Sequence, residues 1–431
     1  MKPDVVVVGA GLAGLSAAVR LAEAGASVRV LAKGVGSTHL SAGTIDVLGY
    51  DAEGQRVDRP LEALDGLPAE HPYGLVGRAG VSAAVDWFKG RIAAGPRAPY
   101  AYTGDAEQNV LLPTAVGAVT PSAVVPETMA GGDLRRGGRV CVVGFRALKD
   151  FYPALVADNL SRGPDGVRAR GVELDLHPEG RVDPNALAYA RAFDDAGFRA
   201  EVVAQLVARL AEDERVAFPA VLGLASPHEV WAELEHRFGR PVFEIPTLPP
   251  SVPGIRIYQT LTQLLNRAGG RVVVNNIITG AERSGGRVTA LRARVGLREV
   301  TFAPEWVVLA TGGFSAGGLE LDSNWVTREV ALDLPVGGAP APGEERFRSA
   351  YFGGQPMDRV GVVTDREQRP VGEDGGRMLE NVLVAGATLA GAVPWREKSG
   401  DGIALATGFR AAELIAGSAA GRVGDVATAG A

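Results

Sequence analysis

The sequence predicts an α/β protein, a central parallel sheet with an inserted cap domain. Three observations point there. A β-branched run, Asp4 to Val8, leads through a glycine turn into an amphipathic helix and a second apolar strand within the first 32 residues. Short buried-strand candidates return much later, at Trp306 to Ala310 and Asn381 to Ala385. Between them the chain changes texture, with frequent Pro and Gly from Gly95 to Pro126 and a cluster at Pro246, Pro249, Pro250 and Pro253.

In chain order, DVVVV reads as a strand buried on both faces, and Gly9 ends it. From Leu12 to Ala24, Leu15, Ala18, Val19 and Ala22 recur at helical spacing, and Gly25 suits the helix end. Ser27 to Ala32 is the next strand, completing a βαβ unit whose crossover is right-handed. In the middle region, Asn185 to Leu210 reads as helix broken near Gly197, and Tyr258 to Ala268 as a further helix. A small antiparallel sheet is expected around Arg271 to Val295, turning at Ser284-Gly285-Gly286. The last helix runs from Ile403 to Ala416, with Gly417 as its stop. The expected division is 1–95 plus 250–431 as one discontinuous domain and 96–249 as the inserted cap. The Gly/Ala-rich segment 418–431 reads as a mobile tail.

Composition narrows the function. A net charge of -6 lacks the Lys/Arg surplus that holds a phosphate backbone, so nucleic acid is not the expected partner. The single cysteine, Cys141, excludes structural disulfides, thiolate-held zinc and protein-ligated iron–sulfur clusters. The five histidines show no metal-binding spacing, so no metal is expected and electron transfer would need an organic cofactor. Asp4 and the glycine motif argue against a secretory signal at the start, which is read as retained. Pro113, Pro121 and Pro126 interrupt the longest uncharged stretch, so no transmembrane segment is expected.

Gly9, Gly11 and Gly14 have the GxGxxG spacing between a strand and a helix. The first permits a tight turn, the second lets a pyrophosphate approach the backbone, and the third lets helix and strand pack closely. Leu12 and Ala13 open the helix, whose N-terminus offers N–H groups to phosphates. The ribose-binding acid expected at the end of the second strand is absent; Ala32 and Lys33 stand there instead. Lys33 suits a 2′-phosphate, as in NADP, but two later motifs fit a flavin better. One is a strand ending in Ala310-Thr311-Gly312-Gly313; the other pairs NVLVAGA, containing Gly386, with SGDG at Ser399 to Gly402. Asp401 there is placed to cap the helix or to accept a hydrogen bond from a ribityl hydroxyl, with Gly402 and Ile403 following.

Together these motifs resemble the two-dinucleotide-fold flavoproteins related to fumarate reductase and aspartate oxidase flavoprotein subunits. Within that group the chain most resembles the B-subunit family of anaerobic glycerol-3-phosphate dehydrogenases. The resemblance rests on GAGLAGLSAA, SxxHLSAGTIDVLG (Ser37 to Gly49), LKDFYPALVADNL, FPAVLG, EIPTLPPSVPGIR (Glu244 to Arg256), ATGGF and the C-terminal NVLVAGATLAG with SGDGIALATG. It implies oxidation of sn-glycerol 3-phosphate to dihydroxyacetone phosphate, with electrons passed toward a membrane quinone. It also implies two partners, a flavoprotein A-subunit and an iron–sulfur, membrane-associated C-subunit. The chain itself would be cytoplasmic, held peripherally at the inner face of the membrane through a partner. The family is usually assigned FMN, whereas the fingerprint suits the pyrophosphate of FAD.

The cofactor contacts expected are therefore the residues just named, with Ser37, Ser41, Ala42 and Gly43 in the loop after the second strand. The cap would exclude water and form the substrate pocket between the domains. Arg256 and Arg396, the latter with Lys398, are candidates for a substrate phosphate, and His39 is a candidate acid or base. The adjacent carboxylates Asp194-Asp195, Asp213-Glu214 and Glu344-Glu345 read as surface charge. Two alternatives stay open: a stand-alone fumarate-reductase-like or amino-acid-oxidase-like enzyme, and an electron-relay or assembly subunit without its own turnover.

Overall fold

A computed structural model describes residues 3–341 and 343–428, with side chains to Ser418. The chain divides into two compact units, Met1–Ser37 with Glu62–Phe88 and Leu261–Ala431, and Thr38–Leu61 with Lys89–Thr260. The sequence-based division places 38–61, 89–95 and 250–260 in the first unit instead. Residues 38–61 join the second because Ile45 bridges to Val124, the Tyr102 hydroxyl donates to Gly43 O (2.6 Å), and the Asn109 amide donates to Leu48 O and Val57 O.

The first unit is built on a five-stranded, all-parallel sheet, ordered Arg271–Val273, Val28–Leu31, Val5–Val8, Trp306–Leu309, Val382–Val384. VVVV occupies the central strand because every one of its side chains is buried, which only a strand covered on both faces requires. The helix Leu12–Glu23 crosses between the first two strands and buries Leu15, Ala18 and Val19. The C-terminal helix packs closely on its first turn: a Cβ on Gly408 would collide with Ala13 O.

A three-stranded antiparallel sheet, Asn276–Ser284, Arg287–Val295 and Arg298–Phe302, covers part of this core through Val288, Leu291 and Ala293. Arg271–Val273, expected in that sheet, is instead the edge strand of the parallel one; Asn276, whose N–H bonds Ala32 O, is where the chain changes sheets. The last helix spans Gly400–Thr428 and does not stop at Gly417. The Ser418 hydroxyl bonds back to Leu414 O (2.8 Å), and the alanine-rich sequence around it favours continuation. The expected mobile tail is thus helical through Thr428, and residues 429–431 lie outside the described residues.

The second unit holds its own parallel sheet, ordered Val242–Ile245, Glu214–Pro219, Gly138–Phe145, Val167–Leu174. Its core is aromatic, with Phe145 stacked on Tyr189 at 4.6 Å and Phe193 edge-on to Phe198 at 5.2 Å. Cys141 lies inside this sheet, and burial pushes its thiol up to about 11, so thiolate chemistry is suppressed. The helix break falls at Asp194-Asp195, ahead of Gly197, because the Asp195 carboxylate caps the second helix at Phe198 N (3.0 Å). Asp194 accepts the N–H groups of Leu224, Ala225 and Ser226. Glu214 is not surface charge: it is buried and paired with Arg170 at 2.6 Å, whose hydrogen bond holds its carboxyl below the ordinary value against the opposing effect of burial.

Candidate cofactor site

The three fingerprint glycines separate into two kinds. Gly9 has φ +113°, and a Cβ there would collide with Ala310 O; a Cβ on Gly14 would collide with Gly9 O. The fold itself requires both. Gly11 is different: its φ of -75° suits any residue, and a Cβ would meet nothing within 4 Å. It keeps open a space that the chain does not fill. Gly11 is also the N-cap of Leu12–Glu23, no side chain caps this end and no acid sits in its first turn. Leu15 N–H is the donor to Gly11 O (2.9 Å), so the N–H groups of Leu12, Ala13 and Gly14 precede the helical ladder.

Two further segments close on this end. The Gly312 N–H donates to the Thr388 hydroxyl (2.9 Å), which lies 3.4 Å from the Thr311 hydroxyl, tying the ATGG turn to the turn Gly386–Thr388. Gly386, at φ +71°, would place a Cβ 2.9 Å from that of Ala13, and its N–H donates to the Thr407 hydroxyl (2.9 Å). The structure thus brings Gly9 to Gly14, Thr311, Gly312 and Gly386 together. Sequence reasoning missed Thr388 and Thr407; their signal was an isolated hydroxyl within an apolar, small-residue run.

Ala32 is tied to the edge strand through Val273 O (3.1 Å), Lys33 is exposed, and Ser37 opens a short 3-10 turn. Asp401 lies within the first turn of Gly400–Thr428, two positions past its N-cap; Ser399 immediately precedes the helix, and Gly402 and Ile403 are buried.

Other predicted residues fall in the second unit. Gly43 packs against Pro253, Gly254 packs against Thr38 O, and Ser251 N–H donates to His39 O (2.9 Å), so HLSAG and PPSVPGIR form one folded block. The Ser41 hydroxyl donates to Thr38 O (3.2 Å) and accepts Gly43 N–H (3.3 Å), with Ala42 half-buried between them. His39 meets the Tyr258 ring edge-on at 4.8 Å; its Nε2 and the Thr38 hydroxyl are buried polar atoms without a partner. Burial lowers the His39 pKa and favours the neutral ring.

Arg256, expected to meet a substrate phosphate, is instead engaged by the protein itself. It is 0% exposed, and its guanidinium donates to Glu244 (2.8 and 3.0 Å) and to the carbonyls of Leu222 and Gly223 (3.1 and 2.5 Å). Arg396 is exposed and lies over the Trp395 ring at 5.8 Å, while Lys398 adopts φ +52° just ahead of Ser399.

This nucleotide-binding fold with an uncapped, glycine-lined helix start defines a dinucleotide-cofactor protein. Residues 4–403 match the family described as FAD binding domain. A probable anaerobic glycerol-3-phosphate dehydrogenase B-subunit of Halobacterium salinarum is 32% identical, over 96% of this chain and 98% of that protein. The corresponding B-subunit of Pectobacterium carotovorum is also 32% identical, over 96% and 99%. Among solved structures, 3-ketosteroid Δ1-dehydrogenase from Sterolibacterium denitrificans aligns with 96% of this chain and 99% of its own at 15% identity and TM-score 0.46. The chain belongs to the FAD-binding flavoprotein oxidoreductases and, within them, to the B-subunit family of anaerobic glycerol-3-phosphate dehydrogenases. Its cofactor is a flavin, and the family match favours FAD over FMN. The first unit fits that group: open space at Gly11 beside uncommitted helix N–H groups is what a pyrophosphate needs.

Proposed function

We propose that this chain oxidises sn-glycerol 3-phosphate to dihydroxyacetone phosphate as the B-subunit of a multi-subunit dehydrogenase. Electrons would leave toward a membrane quinone through a flavoprotein A-subunit and an iron–sulfur C-subunit. The observation that carries this reading is the match to B-subunit relatives along 96% of the chain, with the cofactor cradle intact. Among the described residues no helix is long and apolar enough to cross a membrane, so in this proposal membrane contact comes through a partner.

FAD, when bound, supplies a two-electron acceptor for the substrate C2 hydride. Gly9, Gly11, Leu12, Ala13 and Gly14 would hold its pyrophosphate, and Thr311, Gly312 and Gly386 would let backbone pass close to it. The N-terminus of Gly400–Thr428 would face the pyrimidine end, where its partial positive charge stabilises the negative charge that develops on reduction. Asp401, a half-buried carboxylate in that first turn, would bind a ribityl hydroxyl. Asp401→Ala is expected to weaken FAD binding by about tenfold, the loss of one charge-assisted hydrogen bond, measured by fluorescence titration. Arg396 is the proposed phosphate-binding residue. Arg396→Ala is expected to raise KM for glycerol 3-phosphate by about tenfold or more with little change in kcat, since the phosphate is held equally in ground and transition states.

Anaerobic titration of the FAD-reconstituted chain with glycerol 3-phosphate tests the whole reading. Bleaching of the oxidised flavin absorbance is expected. A flavin that stays oxidised with glycerol 3-phosphate yet is reduced by a partner protein would make the chain an electron relay; reduction by dicarboxylates or amino acids would make it a stand-alone enzyme.

A further inference from the structure

We propose that His71, Glu397 and Ser399 are positioning residues, a buried hydrogen-bonded network that fixes the entry turn of the C-terminal helix and sets the reduction potential of the flavin it faces. The inference rests on the proposed placement of that helix at the flavin, and its parts lie within one compact unit.

His71 and Glu397 are 326 residues apart in sequence and 1% and 7% exposed. The Glu397 Oε2 accepts from His71 Nε2 (3.1 Å) and from the Ser399 hydroxyl (2.9 Å), and its Oε1 accepts Val393 N–H (2.8 Å). His71 Nδ1 accepts the Tyr73 N–H (3.2 Å), which puts the ring proton on Nε2, pointed at the carboxylate. Burial alone would push the Glu397 carboxyl up, but the hydrogen bond from His71, with those of Val393 and Ser399, outweighs it and holds the carboxyl below its ordinary value.

This carboxylate does not cap the helix. Its three donors are Val393, His71 and Ser399, and none comes from the first helical turn, where Ile403 N–H begins the ladder by donating to Ser399 O (2.9 Å). Between Glu397 and Ser399 lies Lys398 in the left-handed region, φ +52°, a conformation that persists in a non-glycine residue only where its surroundings dictate it. The network clamps this residue on both sides. The Tyr73 hydroxyl reaches Ser399 O at 3.5 Å, and its ring lies 5.2 Å from that of His71. A neutral, apolar turn would hold the same backbone without burying a charge. The charge therefore points to an electrostatic task at the helix start: a fixed negative charge there opposes negative charge developing on the reduced cofactor and keeps its potential low.

The two tasks separate by substitution. Glu397→Gln keeps the shape and removes the charge, so the midpoint potential of bound FAD rises. Ser399→Ala removes a donor that spreads the same charge, so the potential falls. His71→Phe loses the clamp, with an FAD dissociation constant about tenfold higher, and His71→Gln, which keeps a donor, restores most of it. The measurements are dye-coupled anaerobic reduction and flavin fluorescence titration on the full chain, with thermal unfolding of each flavin-free variant as the fold control. Opposite shifts for Glu397→Gln and Ser399→Ala support the proposal. Unchanged potentials and affinities, or shifts of the same sign that follow stability, overturn it and leave a purely structural network. Failure of the wild-type chain to bind FAD overturns instead the flavin placement on which the proposal stands.

Discussion

Gly11→Ala is expected to leave the flavin-free protein folded, with stability changed by no more than about 1 kcal/mol, and to weaken FAD binding by roughly 5- to 150-fold. The first part follows from geometry: φ is ordinary and the added methyl meets nothing within 4 Å, so the cost is that of a poorer N-cap residue. The second follows from what the space is for. A methyl group there intrudes where the pyrophosphate must approach backbone, and overpacking of this kind costs about 1–3 kcal/mol. Gly14→Ala makes the contrast, because its methyl would collide with Gly9 O and would damage the strand–helix unit itself. Thermal unfolding of the flavin-free proteins and fluorescence titration with FAD separate the two effects. Wild-type affinity in a folded Gly11→Ala protein would mean that no pyrophosphate crosses this turn.

Arg256→Ala is expected to destabilise the second unit by about 3–5 kcal/mol, because it leaves Glu244 buried at 0% exposure without its cation. Glu244 would keep only the Thr128 hydroxyl (2.6 Å) and Leu222 N–H (2.8 Å), and the carbonyls of Leu222 and Gly223 would lose their donors. The paired substitution Arg256→Met with Glu244→Gln should recover much of the loss, since no uncompensated charge remains. Chemical denaturation of the single and paired variants beside the wild type checks this. Full stability in Arg256→Ala together with loss of substrate-dependent flavin reduction would return this arginine to the substrate.

Arg256 also marks where sequence reasoning stops. A cation after a proline cluster suggests an exposed phosphate contact, yet Val252, Arg256 and Thr260 recur every four residues and are all buried, the inward stripe of the helix Val252–Arg267. That periodicity was visible; the partner, Glu244 on a strand in the same unit, was not. The glycine fingerprint and the buried strands were legible because local spacing and β-branched runs dictate them directly. The second parallel sheet was not, because Val167–Leu174 carries Arg168, Arg170 and Glu173 and reads as surface until Arg170 is seen paired with the buried Glu214. The His71–Glu397 pair has no local signature at all, since a contact across 326 residues is a product of topology. Asp194 and Asp195 likewise read as one charged pair, although one closes a loop and the other begins a helix.

Everything proposed for the cofactor depends first on FAD lying across Gly11. Mass spectrometry of the flavin released by denaturing the purified chain, after reconstitution with an equal mixture of FAD and FMN and with the visible spectrum recorded beforehand, probes this without an assumed substrate. A flavin absorbance and release of FAD are expected. Release of FMN alone, or a colourless protein after reconstitution, would mean that the pyrophosphate does not sit on this helix start.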